Sequence, residues 1–178
     1  VLPIGCNTGN IRPVPGKQEK SEFIVGYVGG YIPLHGMHHL IEAIKVIQGQ
    51  KVEGIKFKFI GRGFDYDKSR ALINRYGLRS IELMDWVPYD KLTDSLAGFD
   101  ICLGIFGDTI KADLVVPNKV YEYAGAMKCT LTKDTPAIRE VFEHDKNIVL
   151  TSNKPEDIAK NIVELKNNRE RLERIAKT

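Results

Sequence analysis

Residues 23–63 read FIVGYVGGYIPLHGMHHLIEAIKVIQGQKVEGIKFKFIGRG, and this stretch decides the fold. It opens with FIVGYVG (23–29), a short apolar run rich in strand formers that ends in glycine. Residues 37–49 then carry Leu40, Ile41, Ile44 and Ile47 at helical spacing. IKFKFIG (55–61) alternates apolar and basic residues before breaking at Gly61-Arg62-Gly63. Strand, helix and strand in that order make a βαβ unit, which implies parallel pairing and a right-handed crossover.

The alternation continues outward from this unit. Residues 65–76 predict a charged helix ending at Gly77, SIELMD (80–85) a strand, and YDKLTDSLAGF (89–99) a helix. DICLGIF (100–106) predicts another strand, and VVPNKVYEYAGAMK (115–128) a helix beginning near Pro117. CTLTK (129–133), AIREVFE (137–143), NIVLT (147–151) and a helical stretch from Pro155 follow. Several strands are nearly continuous apolar runs, as expected when helices cover both faces of a sheet. The expected fold is a doubly wound, Rossmann-like α/β domain over residues 21–178, preceded by a linker or strand end at 1–20. In such sheets ligands bind at the carboxyl ends of the strands, where strand order reverses.

Composition fits that fold and excludes other classes. The 178 residues are 43% apolar and 28% charged, enough for one domain with a true core. A net charge of +3 with both signs interspersed gives no basic stripe for nucleic acid. Cys6, Cys102 and Cys129 lie far apart without metal-ligand spacing, which predicts reduced thiols in a cytoplasmic setting. No apolar run reaches membrane-spanning length. Val1 opens the chain inside the apolar run VLPIG, so a preceding segment is expected.

The strand-end loops hold the candidate site. Gly29 and Gly30 leave backbone N–H groups open to a diphosphate-like anion near a helix N-terminus, or else serve a tight turn. The pattern is not G-x-G-x-x-G, and no acidic residue follows the second strand, which argues against a dinucleotide. Arg62 is placed to meet a phosphate or sugar hydroxyl, or to remain a solvated surface cation. Trp86, Val87 and Pro88 form an apolar ledge that can flank a base, although packing is the favoured role for Trp86. His38 and His39 are adjacent on a helix and should point about 100° apart, so no shared metal is expected and a buried or capping role is favoured. His35 belongs to the glycine loop and can face an anion.

In the 115–128 helix, Val120, Ala124 and Met127 share the stripe expected to meet the sheet. Asn118, Glu122 and Gly125 fall on another face. The carboxylate among small and apolar residues is either a ligand group or half of a Lys119–Glu122 surface pair.

With its motifs in order, the chain resembles the C-terminal half of a family 4 glycosyltransferase of the GT-B fold. The likeness rests on VLPIGCNTGNIRP, GYVGGYIPLHGMHHLIEA, FKFIGRG, ELMDWVPYDKL, FDICLGIFGDT and VVPNKVYEYAGAMK, six motifs that cover nearly the whole chain. The PLHG and PNK variants resemble one subgroup of that family. The resemblance implies that this half binds a nucleotide-sugar donor, while an N-terminal Rossmann half binds the acceptor. It makes Glu122 the acceptor of the donor's ribose hydroxyls and sets Asn118 and Lys119 against the diphosphate. It places Gly29, Gly30 and His35 in the loop over the phosphates, and Val87 where backbone meets the base.

The departures are as plain as the matches. The first glutamate of the family's usual pair is Leu114 here. The loop arginine and lysine of many members correspond to Tyr27 and His35. Lys119, Arg62 and Lys111 are the candidates to offset those lost cations.

The resemblance implies a retaining, hexosyltransferase-type glycosyltransferase with no cofactor and no bound metal. Its chemistry would need the missing half, through which alone the protein would meet a membrane. A non-catalytic module of the same build and a sugar-nucleotide epimerase are the alternatives. The Leu114 replacement favours the first; the lack of a paired strand-end carboxylate disfavours the second.

Overall fold

The computed structural model describes residues 5–13 and 22–178. The expected domain boundary near residue 20 and the apolar run at residues 1–4 lie outside them. Six parallel strands form one sheet: β1 (Phe23–Val28), β2 (Ile55–Ile60), β3 (Ile81–Met84), β4 (Ile101–Leu103), β5 (Cys129–Lys133) and β6 (Val149–Thr151). Their order is β3-β2-β1-β4-β5-β6, so the sheet is doubly wound and reverses between β1 and β4. The Rossmann-like expectation is met.

Alternation along β1 separates two cores. Phe23, Val25 and Tyr27 face one side, together with Phe57, Phe59, Ile101 and Leu103. That side is covered by α1 (Met37–Gly49), α2 (Tyr66–Tyr76), α7 (Pro155–Asn167) and α8 (Arg169–Lys177). Ile24 and Val28 face the other side, under α3 (Leu92–Ala97) and α5 (Asn118–Gly125). The short helices α4 (Ile110–Leu114) and α6 (Pro136–Arg139) complete the set among the described residues. Helix α2 ends as its sequence requires, with Gly77 in the left-handed conformation. No helix of the described residues is long and apolar enough to cross a membrane. Cys6, Cys102 and Cys129 are free thiols.

Two expectations about elements change. DICLGIF reads as a strand to Phe106, yet β4 ends at Leu103. There the Thr132 hydroxyl takes the Ile105 N–H at 3.1 Å, while the Ile105 carbonyl accepts from both that hydroxyl at 3.2 Å and the Lys133 N–H at 3.0 Å. The segment 5–13, expected as linker, packs on the domain instead. Ile11 is buried in the second core, and the Thr93 hydroxyl donates to the Asn10 carbonyl at 2.8 Å.

Candidate functional site

The short β4 leaves part of the β1 edge for another element to claim. Val25 and Gly26 pair with β4, but Val28 does not. Tyr123 of α5 takes the free groups: its hydroxyl accepts from the Val28 N–H at 2.9 Å and donates to the Val28 carbonyl at 3.3 Å. This bolts α5 beside the first glycine loop. It also corrects the expected packing face. Ala124 and Met127 are exposed, and Met127 lies beyond the helix end at a φ of 54°. The buried residues of α5 are Lys119, Val120 and Tyr123.

Burial of Lys119 is the central feature. Its side chain is not part of a surface pair: the residue is only 7% exposed, and Nζ has no hydrogen-bond partner among the described residues. The ammonium sits 4.0 Å from the centre of the Tyr27 ring and fills the space beside Gly29 that a Cβ would need. Gly29 has a φ of 151°, a conformation that favours glycine. Burial pushes the Lys119 pKa well below the ordinary lysine value, with Glu122 acting in the opposite direction. Holding a charge there without a hydrogen-bonding partner is costly, which is the physical origin of the lowered pKa.

The rest of the first loop is neutral. Tyr27, matched to a loop arginine by resemblance, lies inside β1 with its ring buried, so the loop carries no cation there. Its hydroxyl donates to the Gly30 carbonyl at 2.7 Å. Nδ1 of His35 lies against that same carbonyl, which only accepts, so Nδ1 carries the proton and the neutral ring leaves Nε2 as an acceptor. Burial, with the nearby Lys119 charge, lowers the His35 pKa to about 4. His35 is therefore a buried, neutral brace of the loop near pH 7. The Gly30 carbonyl is turned into this network, and a side chain at Gly30 would meet the Arg62 carbonyl and Ile32 at ordinary contact distance.

Glu122, one turn after Lys119, is half-buried. Burial raises its pKa, while a hydrogen bond from the Tyr89 hydroxyl and the Lys119 charge oppose the rise. The sequence reading missed Tyr89 and Tyr123. Both are tyrosines close to recognised motifs, and periodicity alone does not mark a hydroxyl for a polar partner. Asn118 is exposed as the first residue of α5, after Pro117. Lys111 and Leu114 on α4 are exposed, Leu114 at 69%.

Arg62 and the third loop form a separate group. The Arg62 guanidinium donates to Asp85 at 3.2 Å and lies 4.1 Å from the Tyr66 ring centre, so its charge is already paired. Trp86, expected to pack, is 54% exposed and lies over Gly61, while half-buried Val87 packs on the second core. Together they keep the apolar ledge on the surface.

The histidines also depart from expectation. His38 and His39 do not diverge. Their rings lie 3.9 Å apart, and both Nε2 atoms approach Oδ2 of Asp108, at 3.6 Å and 2.8 Å.

The doubly wound sheet brings a glycine loop, a buried lysine and a half-buried carboxylate together at its reversal point. The chain belongs to the family described as "Glycosyl transferases group 1", whose model matches residues 22–168. Solved structures share the fold. A variant of S. aureus TarM, crystallised with fondaparinux, alpha-GlcNAc-glycerol and UDP, is 21% identical with a TM-score of 0.76. That match covers 94% of this chain and 33% of TarM, so the chain spans about a third of that protein. The C-terminal domain of the group 1 family protein LpcC from Francisella tularensis is 18% identical over 97% of this chain and 93% of that one, with a TM-score of 0.76. Anabaena HepE, in complex with UDP-glucose, is 20% identical over 87% of this chain and 42% of its own, with a TM-score of 0.72. No curated protein sequence matches the chain.

Proposed function

We propose that this chain is the donor-binding domain of a retaining, hexosyltransferase-type glycosyltransferase that uses a nucleoside-diphosphate sugar without a bound metal or cofactor. The observation that carries the reading is the buried, unpartnered Lys119 ammonium over Gly29, one turn from a half-buried Glu122. A diphosphate would give Lys119 the partner it lacks, and the positive end of α5 would add to the attraction. The same groups would stabilise charge on the departing diphosphate as the sugar leaves. Glu122 would accept from two ribose hydroxyls while keeping its bond from Tyr89. Trp86 and Val87 would flank the base. TarM and HepE hold UDP or its glucose conjugate in their structures, which makes uridine the base to test first.

Transfer would require an acceptor-binding Rossmann domain preceding this one, in a cytoplasmic protein that meets any membrane through that domain. The chain alone then binds nucleotide and transfers no sugar. Calorimetric titration with a panel of nucleoside diphosphates tests the reading. Selective binding of one base, weakened about 10–100-fold by Glu122→Ala, is expected from losing hydrogen bonds to a charged group. Absence of binding at millimolar nucleotide would overturn it.

The competing reading, a binding module without transfer, draws on Leu114, an exposed apolar side chain where the resemblance places the first glutamate of a pair. Sugar turnover by the two-domain protein would exclude it.

A further inference from the structure

The converging histidines lie outside the donor site, and their geometry has a use of its own. We propose that His38, His39 and Asp108 form a binding site for a divalent transition-metal ion of the zinc class. One ligand atom from each of the three lies within 4.8 Å of the others. Zinc bonds of about 2.0–2.1 Å in tetrahedral geometry set neighbouring ligand atoms about 3.3 Å apart. The two histidine-to-carboxylate distances, 2.8 Å and 3.6 Å, bracket that value, and the metal would replace the His39–Asp108 hydrogen bond. The imidazole–carboxylate donor set suits zinc, nickel or copper rather than magnesium.

The surroundings support the same assignment. Asn153 donates to Oδ1 of Asp108 at 2.6 Å, which fixes the carboxylate and leaves Oδ2 directed at the histidines. His38 and Asp108 keep 55% and 61% of their side-chain surface exposed, and both border an open groove of about 370 Å³. That groove supplies an entry path and room for a water as fourth ligand. The positive N-terminal end of α1 works against a cation, and the carboxylates of Asp108 and Glu42 offset it. Lys68, which also lines the groove, lies 3.5 Å from Asp65.

A metal here would clasp three strand-end segments: the start of α1, the loop after β4, and the loop after β6 that carries Asn153. Its ligand atoms come from neither Lys119 nor Glu122, so the ion would act as a structural clasp and not as part of the proposed donor contacts.

The test uses the untagged 178-residue chain and zinc in competition with a chromophoric chelator. One equivalent should bind with micromolar or tighter affinity, and magnesium should not compete. His38→Ala and Asp108→Asn should each weaken zinc at least tenfold, and Asn153→Ala about tenfold, as expected for loss of a carboxylate-orienting partner. Cys6→Ser should leave the affinity unchanged. Zinc at about 100-fold above its dissociation constant should raise Tm by about 5–10 °C, a shift absent in His38→Ala. Failure of the wild-type chain to bind zinc, or undiminished binding in both His38→Ala and Asp108→Asn, would overturn the assignment.

Discussion

Two cations stand behind two glycine loops, and their circumstances are opposite. Arg62, in the loop after β2, is about half exposed, paired with Asp85 and stacked on Tyr66. Lys119 reaches the loop after β1 from α5, and is buried without a hydrogen-bond partner among the described residues. The glycines differ in the same way. A side chain at Gly61 would strike the backbone of Gly29, whereas one at Gly29 would strike the flexible end of Lys119 and crowd the Tyr27 hydroxyl. The second loop is closed by its own structure, and the first is arranged around an unspent charge.

The largest break in that comparison should come from Lys119→Met. Removing the cation while keeping an apolar stem should lower nucleoside-diphosphate affinity about 100-fold, the upper range for loss of charged hydrogen bonds. The empty protein should become more stable by about 1–3 kcal/mol, because an unsatisfied buried group is removed. Denaturant titration and calorimetry of the same variant would read both effects, and a loss of stability together with unchanged affinity would refute the assignment.

The glycines offer the next test. Gly61→Ala should cost more stability than Gly29→Ala, since rigid backbone blocks the one and a movable amine the other. Strained backbone of this kind costs on the order of 1–3 kcal/mol. The order should reverse for nucleotide affinity, with Gly29→Ala the more damaging.

A smaller effect concerns pH. The folded-state pKa of Lys119 lies below its unfolded value, so between the two the unfolded chain holds the extra proton. Stability of the empty protein should therefore rise with pH through that window, up to the ordinary lysine value of 10.5. The slope difference between wild type and Lys119→Met isolates this contribution. Smallest of all, Arg62→Gln should change nucleotide affinity by less than about threefold, because an exposed and already paired cation contributes little.

Much of the fold was legible because glycine breaks and apolar runs mark each strand of a parallel sheet. Gly29 and Gly61 end β1 and β2 as read, and Gly77 ends α2. The length of β4 was hidden because its pairing beyond Leu103 shifts to include a threonine side chain of the neighbouring strand, which an apolar run does not reveal. The face of α5 was misread for a related reason: periodicity ranks lysine as outward and methionine as inward. Lys119 is held in by Tyr27 and Gly29, and Met127 lies past the helix end. For the site, the sequence marked Gly29, Lys119 and Glu122, which the structure places around one loop and one helix. It also grouped Arg62 and His35 with them, though one is tied to Asp85 and the other is a neutral brace. Convergence of His38 and His39 depends on side-chain rotamers, which backbone spacing does not encode.

The bond between Tyr123 and Val28 also sets when the site can exist. Its partners are 95 residues apart, so β1 and its glycine loop leave the ribosome long before the helix that completes them. A nascent chain that has not reached α5 has the glycines but neither the lysine nor the carboxylate. The proposed nucleotide would therefore stabilise this domain only once α5 has been made. Before that point, the end of β1 is an open sheet edge without its final partner.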